Sequence, residues 1–215
     1  HQYYLSGKEA YKKKDYQRAF DNFKKAAEMG DGDGYAGIGN MYYNGKGFNH
    51  DYETALQYYQ KAADMGSARG YNDIGYMYEY GHGIRRNYQT ALQYFQKAAE
   101  MGYAGAYGNL GTMYADGKGV SKDYQKAVQY YQKAINMGDD DTRALSYGNL
   151  GYMYLNGLGV QKDYQRALQY FLKTADLGDD DTRAGAYYNL GQMYEYGTGV
   201  GQDYQDGTPI LQKSL

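Results

Sequence analysis

The chain has 215 residues with 23 Lys and Arg against 25 Asp and Glu, a formal net charge of -2, so it lacks the basic excess that holds nucleic acid or an anionic membrane. It has no cysteine, which removes disulfides, thiolate chemistry and cysteine-based zinc sites while leaving the redox compartment open. Its 32 tyrosines and 31 glycines stand against one proline and no tryptophan, far from average usage.

The first stretch, HQYYLSGKEA, has no signal-peptide core, and no apolar run approaches the roughly 18 residues of a membrane span. A chain starting at His1 is expected to be a processed or excised segment and leaves room for a removed signal, so the compartment stays open. Next comes SGKEAYKKKDYQRAFDNFKKA, a helix pair joined by a short turn.

From there the chain repeats itself. Asp/Asn-Tyr dipeptides end at Tyr16, Tyr52, Tyr88, Tyr124, Tyr164 and Tyr204, with spacings of 36, 36, 36, 40 and 40. A period of this size predicts stacked supersecondary units. The longer units share GDDDTRA, at Gly138–Ala144 and Gly178–Ala184, and an insertion at one fixed place predicts a surface loop.

Each unit predicts two helices. The second, helix B, follows the dipeptide: Tyr52, Ala55, Leu56, Tyr59, Ala62 and Met65 form one apolar stripe, with Asp51 as N-cap and Gly66 as the stop. Helix A precedes it, in YGNLGTMYADG, YGNLGYMYLNG and YYNLGQMYEYG. Its apolar side carries a recurrent glycine, at Gly39, Gly75, Gly111, Gly151 and Gly191. Glycine inside a helix costs about 1 kcal/mol relative to alanine, and close approach of helix B through Ala55, Ala91, Ala127 and Ala167 is the expected compensation. Met41, Met77, Met113, Met153 and Met193 are expected to fill gaps between units.

The loop between the two helices reads NGKGF, YGHGI, DGKGV, NGLGV and YGTGV. Lysine between glycines suggests a phosphate cradle, but the same place holds Lys46, His82, Lys118, Leu158 or Thr198. What persists is a turn: the first glycine leaves helix A with positive φ, and Phe48, Ile84, Val120, Val160 or Val200 anchors the linker. The last unit departs, because DYQDGTPILQKSL puts Gly207 and Pro209 inside helix B, where proline costs about 3 kcal/mol. A break there is expected, with Thr208 capping a short terminal helix.

This unit, Y-x-N-L-G-x-M-Y-x-x-G-x-G-V-x-x-D-Y-x-x-A-x-x-Y-Y-x-K-A-A-x-x-G, resembles the Sel-1-like repeat, a relative of the tetratricopeptide repeat with a longer internal turn. The resemblance covers about residues 33 to 204. It implies an all-α fold, a right-handed α-solenoid of stacked antiparallel helix hairpins forming a single solenoid over 1–215. Residues 1–30 are expected as a tetratricopeptide-like N-terminal cap, 31–202 as Sel-1-like repeats and 203–215 as a degenerate helical segment. The resemblance also implies an adaptor that brings other proteins together. Cysteine-rich relatives staple each repeat with a disulfide, which this chain cannot do.

In such an array the helix A face opposite the core stripe is expected to line a concave surface for a protein or peptide segment. Its residues are Asn72, Asp73, Tyr76 and Tyr80; Asn109, Thr112 and Asp116; Asn149, Tyr152 and Asn156; and Asn189, Gln192 and Tyr196, with Asn40 and Asn44 at matching places. Tyrosine offers apolar area with a polar tip, and asparagine both a donor and an acceptor. Self-association through the terminal repeats is the alternative, and single-stranded RNA binding lacks the basic groove it needs. GDGDG at residues 30–34 and the DDDT runs do not continue into a calcium loop and are read as helix caps. No catalytic set accompanies His1, His50 and His82. No enzyme activity, cofactor or metal is expected.

Overall fold

The computed structural model describes residues 1–199; the expectations on Val200, Tyr204, Gly207, Thr208 and Pro209 lie outside the described residues. The described chain is all-helical. It divides into two compact units, His1–Tyr103 and a second that begins at Ala104. The first holds α1 (Gln2–Lys12), α2 (Tyr16–Glu28), α3 (Gly32–Asn44), α4 (Tyr52–Asp64), α5 (Ala68–Tyr80) and α6 (Tyr88–Glu100). The second holds α7 (Ala104–Asp116), α8 (Tyr124–Met137), α9 (Asp140–Asn156), α10 (Tyr164–Leu177) and α11 (Asp180–Glu195). Within each unit successive helices pack as antiparallel hairpins, each against the next.

The expected caps are in place. Asp15, Asp51, Asn87, Asp123 and Asp163 each accept a hydrogen bond from the backbone N–H three residues on, a contribution of about 1 kcal/mol per helix. Helix A ends where the first loop glycine turns left-handed, at Gly81 with φ 72° and Gly157 with φ 68°. The second loop glycine serves a different purpose. A Cβ on Gly83 would lie 3.0 Å from the backbone of Tyr52, so the loop rests on the start of helix B, α4, of the preceding helix pair.

The buried glycine of helix A is explained by a ring rather than by alanine. Ala55, Ala91, Ala127 and Ala167 are fully buried, but the group over the glycine is the aromatic residue four positions later. A Cβ at Gly39 would sit 2.6 Å from the Tyr59 ring, at Gly75 2.8 Å from Phe95, at Gly111 2.6 Å from Tyr131 and at Gly151 2.7 Å from Phe171. The first hairpin repeats the device, with Gly7 under Phe23. Each ring needs a notch, and only glycine leaves one.

The tyrosines of the stripe form a second layer. Tyr42 and Tyr58 stack with ring centroids 5.6 Å apart, as do Tyr78 and Tyr94 at 5.6 Å and Tyr114 and Tyr130 at 5.5 Å. A third ring joins each pair, Tyr35, Tyr71 or Tyr107. Lysines lie over these stacks, among them Lys61 over Tyr58 at 5.1 Å and Lys133 over Tyr107 at 5.5 Å, a cation–π contact of about 0.5–1 kcal/mol at an exposed site.

The shared insertion is a correction to the sequence reading. GDDDTRA does not form a loop; it lengthens helix A, so α9 and α11 run 17 and 16 residues where α7 runs 13. Asp139 and Asp179 cap the added turn by accepting from the N–H of Thr142 and Thr182, and Asp140 and Asp180 pair with Arg143 and Arg183. Carboxylates at a helix N-terminus favour helix over loop.

The notch and an open glycine predict opposite signs. Gly111→Ala is expected to destabilise the chain by about 1–3 kcal/mol through overpacking against Tyr131, despite alanine's better helix propensity. Gly185, exposed in α11 with nothing within 4 Å of an added Cβ, is the control: Gly185→Ala is expected to stabilise by about 0.5–1 kcal/mol. Urea denaturation of the two variants checks both signs.

Candidate functional site

The ring in each notch decides what the next residue of helix A must be. Where the ring is tyrosine, its hydroxyl needs a partner. Tyr59 donates to Asn40 Oδ1 at 2.9 Å, and the Tyr131 hydroxyl lies 3.2 Å from Thr112 Oγ1. Burial pushes the Tyr131 phenol up to about 12, against the opposing effect of that bond to Thr112. Where the ring is Phe95 or Phe171 no hydroxyl exists, and the same places hold Tyr76 and Tyr152, 37% and 54% exposed. Thr112 therefore serves the core of the second unit, while Tyr76 and Tyr152 present open ring area.

The other expected face residues divide in the same way. Tyr80 and Tyr196 are 45% and 68% exposed. Asn156 folds back, its Nδ2 donating to the Tyr152 carbonyl at 2.9 Å, as Asn44 does to the Asn40 carbonyl at 2.9 Å. Asp116 pairs with Lys118 at 3.1 Å, and Asn189 donates to the Gly185 carbonyl at 3.0 Å. Asn149 is exposed, and Asn109 and Gln192 are half-buried. Asn72 is a correction: it is buried, as is the matching Ala36 of α3, whereas the same place in α11 holds Tyr188, 54% exposed.

In the first unit these residues enclose a pocket of about 210 Å³ lined by Asn40, Tyr43, Asn44, Tyr59, Asp73 and Tyr76. Two of its walls, Tyr43 and Tyr59, were not among the expected face residues. Tyr43 occupies a place held by Glu79, Ala115, Leu155 and Glu195 in the other helix pairs, and that departure from the repeat was the available signal. Its ring meets Tyr76 edge-on at 5.9 Å and its hydroxyl lies 2.7 Å from His82 Nδ1. His82 in turn stacks on Tyr52 at 4.4 Å. The loop residue between the glycines is here an aromatic buttress.

Asp73 forms the charged wall. Its Oδ1 accepts from Asn72 Nδ2 at 3.3 Å, while its Oδ2 is buried with no hydrogen-bond partner. Arg69, one turn earlier, lies between the rings of Tyr4 at 5.3 Å and Tyr103 at 5.0 Å, and its Nε is likewise buried without a partner. Asp33 accepts from the Ser67 hydroxyl at 2.5 Å. Burial pushes the Asp73 carboxyl up to about 7; the Arg69 charge opposes this, and the Asp33 charge adds to it.

Among the described residues His1, Asp31 and Asp33 are the one group whose ligand atoms lie close enough to hold a metal ion. Asp31 is already committed: it caps α3 by accepting from the N–H of Asp33 at 3.1 Å.

The raised Asp73 carboxyl has a pH signature. Between its ordinary value of 3.8 and about 7 the folded chain holds a proton that the unfolded chain has released. Its contribution to stability is complete below that window and is lost as the pH rises through it. Asp73→Asn is therefore expected to be more stable than the parent by about 1–2 kcal/mol near pH 8, with the difference gone near pH 4. Thermal unfolding across that pH range measures it.

The Sel1 repeat model matches residues 2–31, 32–67, 68–103, 104–139, 144–179 and 184–207. No curated protein sequence matches the chain. Among solved structures, the chain is similar to a Sel1 repeat protein from Oxalobacter formigenes, with 34% identity over 97% of this chain and 82% of that one and a TM-score of 0.74. It is also similar to c5321, a protective antigen present in uropathogenic Escherichia coli strains and displaying an SLR fold, with 34% identity, 92% and 40% coverage and a TM-score of 0.67. The immunity protein Pa5087 from Pseudomonas aeruginosa shares the fold, at 22% identity, 92% and 73% coverage and a TM-score of 0.63. The match begins in the first hairpin, where a short turn replaces the glycine loop, and three matched repeats fall in each compact unit. With six repeats over nearly its whole length, the chain belongs to the Sel1 repeat family.

Proposed function

We propose that this chain is a non-enzymatic interaction scaffold that captures an extended segment of a partner protein on the helix A face of its units. Sel1 repeat proteins are commonly protein-interaction scaffolds and typically non-catalytic. The observation that carries the reading is the set of tyrosines with no role in the core: Tyr76 and Tyr80 in the first unit, Tyr152 and Tyr196 in the second, all more than a third exposed. Tyrosine with so much open surface is a residue of binding faces, since it supplies contact area with few rotamers to freeze. The neighbouring Asn and Asp side chains supply the donors and acceptors that an extended backbone requires. No helix among the described residues is long and apolar enough to cross a membrane.

The test isolates a partner by affinity capture from the source cell and measures its binding to purified chain. Tyr76→Ala combined with Tyr152→Ala is expected to weaken binding by about tenfold or more, as at interface hot spots, with an unchanged unfolding midpoint. A lowered midpoint would return both tyrosines to the core. Light scattering over a concentration series is expected to show no growth in mass; growth would favour self-association through the repeats.

A further inference from the structure

We propose that the pocket between α3 and α5 binds the ammonium group of a lysine side chain presented by the partner segment. The inference rests on the scaffold reading and names the chemistry of one contact. Four observations on the first unit combine. The pocket's walls include Tyr43, Tyr59 and Tyr76; Tyr59 is buried in its notch, while the rings of Tyr43 and Tyr76 are those that can attract a cation through their quadrupole. Two more are the amides of Asn40 and Asn44. Asp73 supplies a carboxylate whose Oδ2 is shielded and has no donor, and a buried polar atom left unsatisfied calls for a partner. Finally, the charges of Asp33 and Asp73 both act on the one guanidinium of Arg69, so with Asp73 ionised one added positive charge balances the cluster.

Charge balance selects a monovalent cation, and geometry selects lysine over arginine. A guanidinium binds a carboxylate best through both oxygens at once, but Asp73 Oδ1 already accepts from Asn72, so a second donor there would have to share it. An ammonium needs only one carboxylate oxygen and can spend its other hydrogens on amide oxygens. The nearby Arg69 does not occupy the place, since Tyr4 and Tyr103 hold it from either side. The second unit lacks the arrangement: the matching places hold Asn109, Asn149 and Asn189 in place of Asp73, and Ala115, Leu155 and Glu195 in place of Tyr43.

The test titrates the full chain with Nα-acetyl-lysine methylamide and follows Asn side-chain amide and tyrosine ring signals by NMR, with the norleucine and arginine counterparts as controls. Saturable shifts of Asn40 and Asn44 are expected from the lysine compound, with a Kd on the order of millimolar. The arginine compound is expected to bind more weakly and norleucine not to saturate. Asp73→Asn is expected to weaken lysine binding about tenfold, the loss of one charge-assisted bond. Should that variant fail to fold, Tyr43→Ala carries the comparison, with a loss expected again. Equal shifts from norleucine, undiminished binding in the variant, or no saturation with lysine overturns the proposal. Tyr152→Ala, in the other unit, keeps the two readings apart. If it weakens partner capture while the lysine compound fails to bind, the scaffold stands and the lysine pocket falls. If the lysine compound binds while capture is indifferent to Tyr76 and Tyr152, the pocket stands and the scaffold falls.

Discussion

An aromatic ring pressed into the gap left by a helical glycine governs this protein. Tyr59, Phe95, Tyr131 and Phe171 each lie where a Cβ on the facing helix would be under 3 Å away, so the two helices of a hairpin approach closely along one line. Glycine weakens an isolated helix, and short helices are marginal in water in any case. Here the burial of a whole ring offsets that cost, since a large apolar side chain contributes about 1.5–3 kcal/mol when fully buried.

The same contact reaches the surface. The residue after the notch glycine stands at the rim of the ring, so the choice between tyrosine and phenylalanine in the core sets the chemistry outside. A tyrosine ring brings a hydroxyl that must be paired, and Asn40 or Thr112 answers it. A phenylalanine ring makes no such demand and releases the place for Tyr76 or Tyr152. Core and face are thus written together: a tyrosine in the notch and a tyrosine displayed at its rim fall in different helix pairs.

The first unit breaks the repeat where the polar cluster sits. Asp33, Ser67, Arg69 and Asp73 come from two consecutive A helices and the cap between them, with Tyr4 and Tyr103 from either flank. The second unit has no matching acid at the Asp73 place, which holds Asn109, Asn149 and Asn189, and no arginine at the Arg69 place, which holds Gly105, Leu145 and Gly185. Buried charge of this kind is costly to keep, and concentration at one pocket is what distinguishes this unit from its neighbour.

By itself the sequence determined the periodic elements: the helix pairs, the Asp and Asn caps, the left-handed exits at the loop glycines and the all-helical repeat fold. These follow from short-range chemistry, a side chain reaching the N–H three residues on or a backbone angle open only to glycine, and each unit restates them. It also marked Tyr76 and Tyr152 by their spacing. It misjudged GDDDTRA, since added residues lengthen a loop or a helix equally well until the caps are seen engaged. It placed Asn72 on the face, although one helical position decides between rim and core and helical wheels blur at that angle. Tertiary structure alone decided which ring fills which notch, that Tyr43 and Tyr59 wall one pocket with Asp73, and that the Asp33 charge acts on Asp73. Those pairings join residues some 20 to 40 positions apart, and only the packing of one hairpin on the next brings such distant side chains within range of a hydrogen bond or a charge.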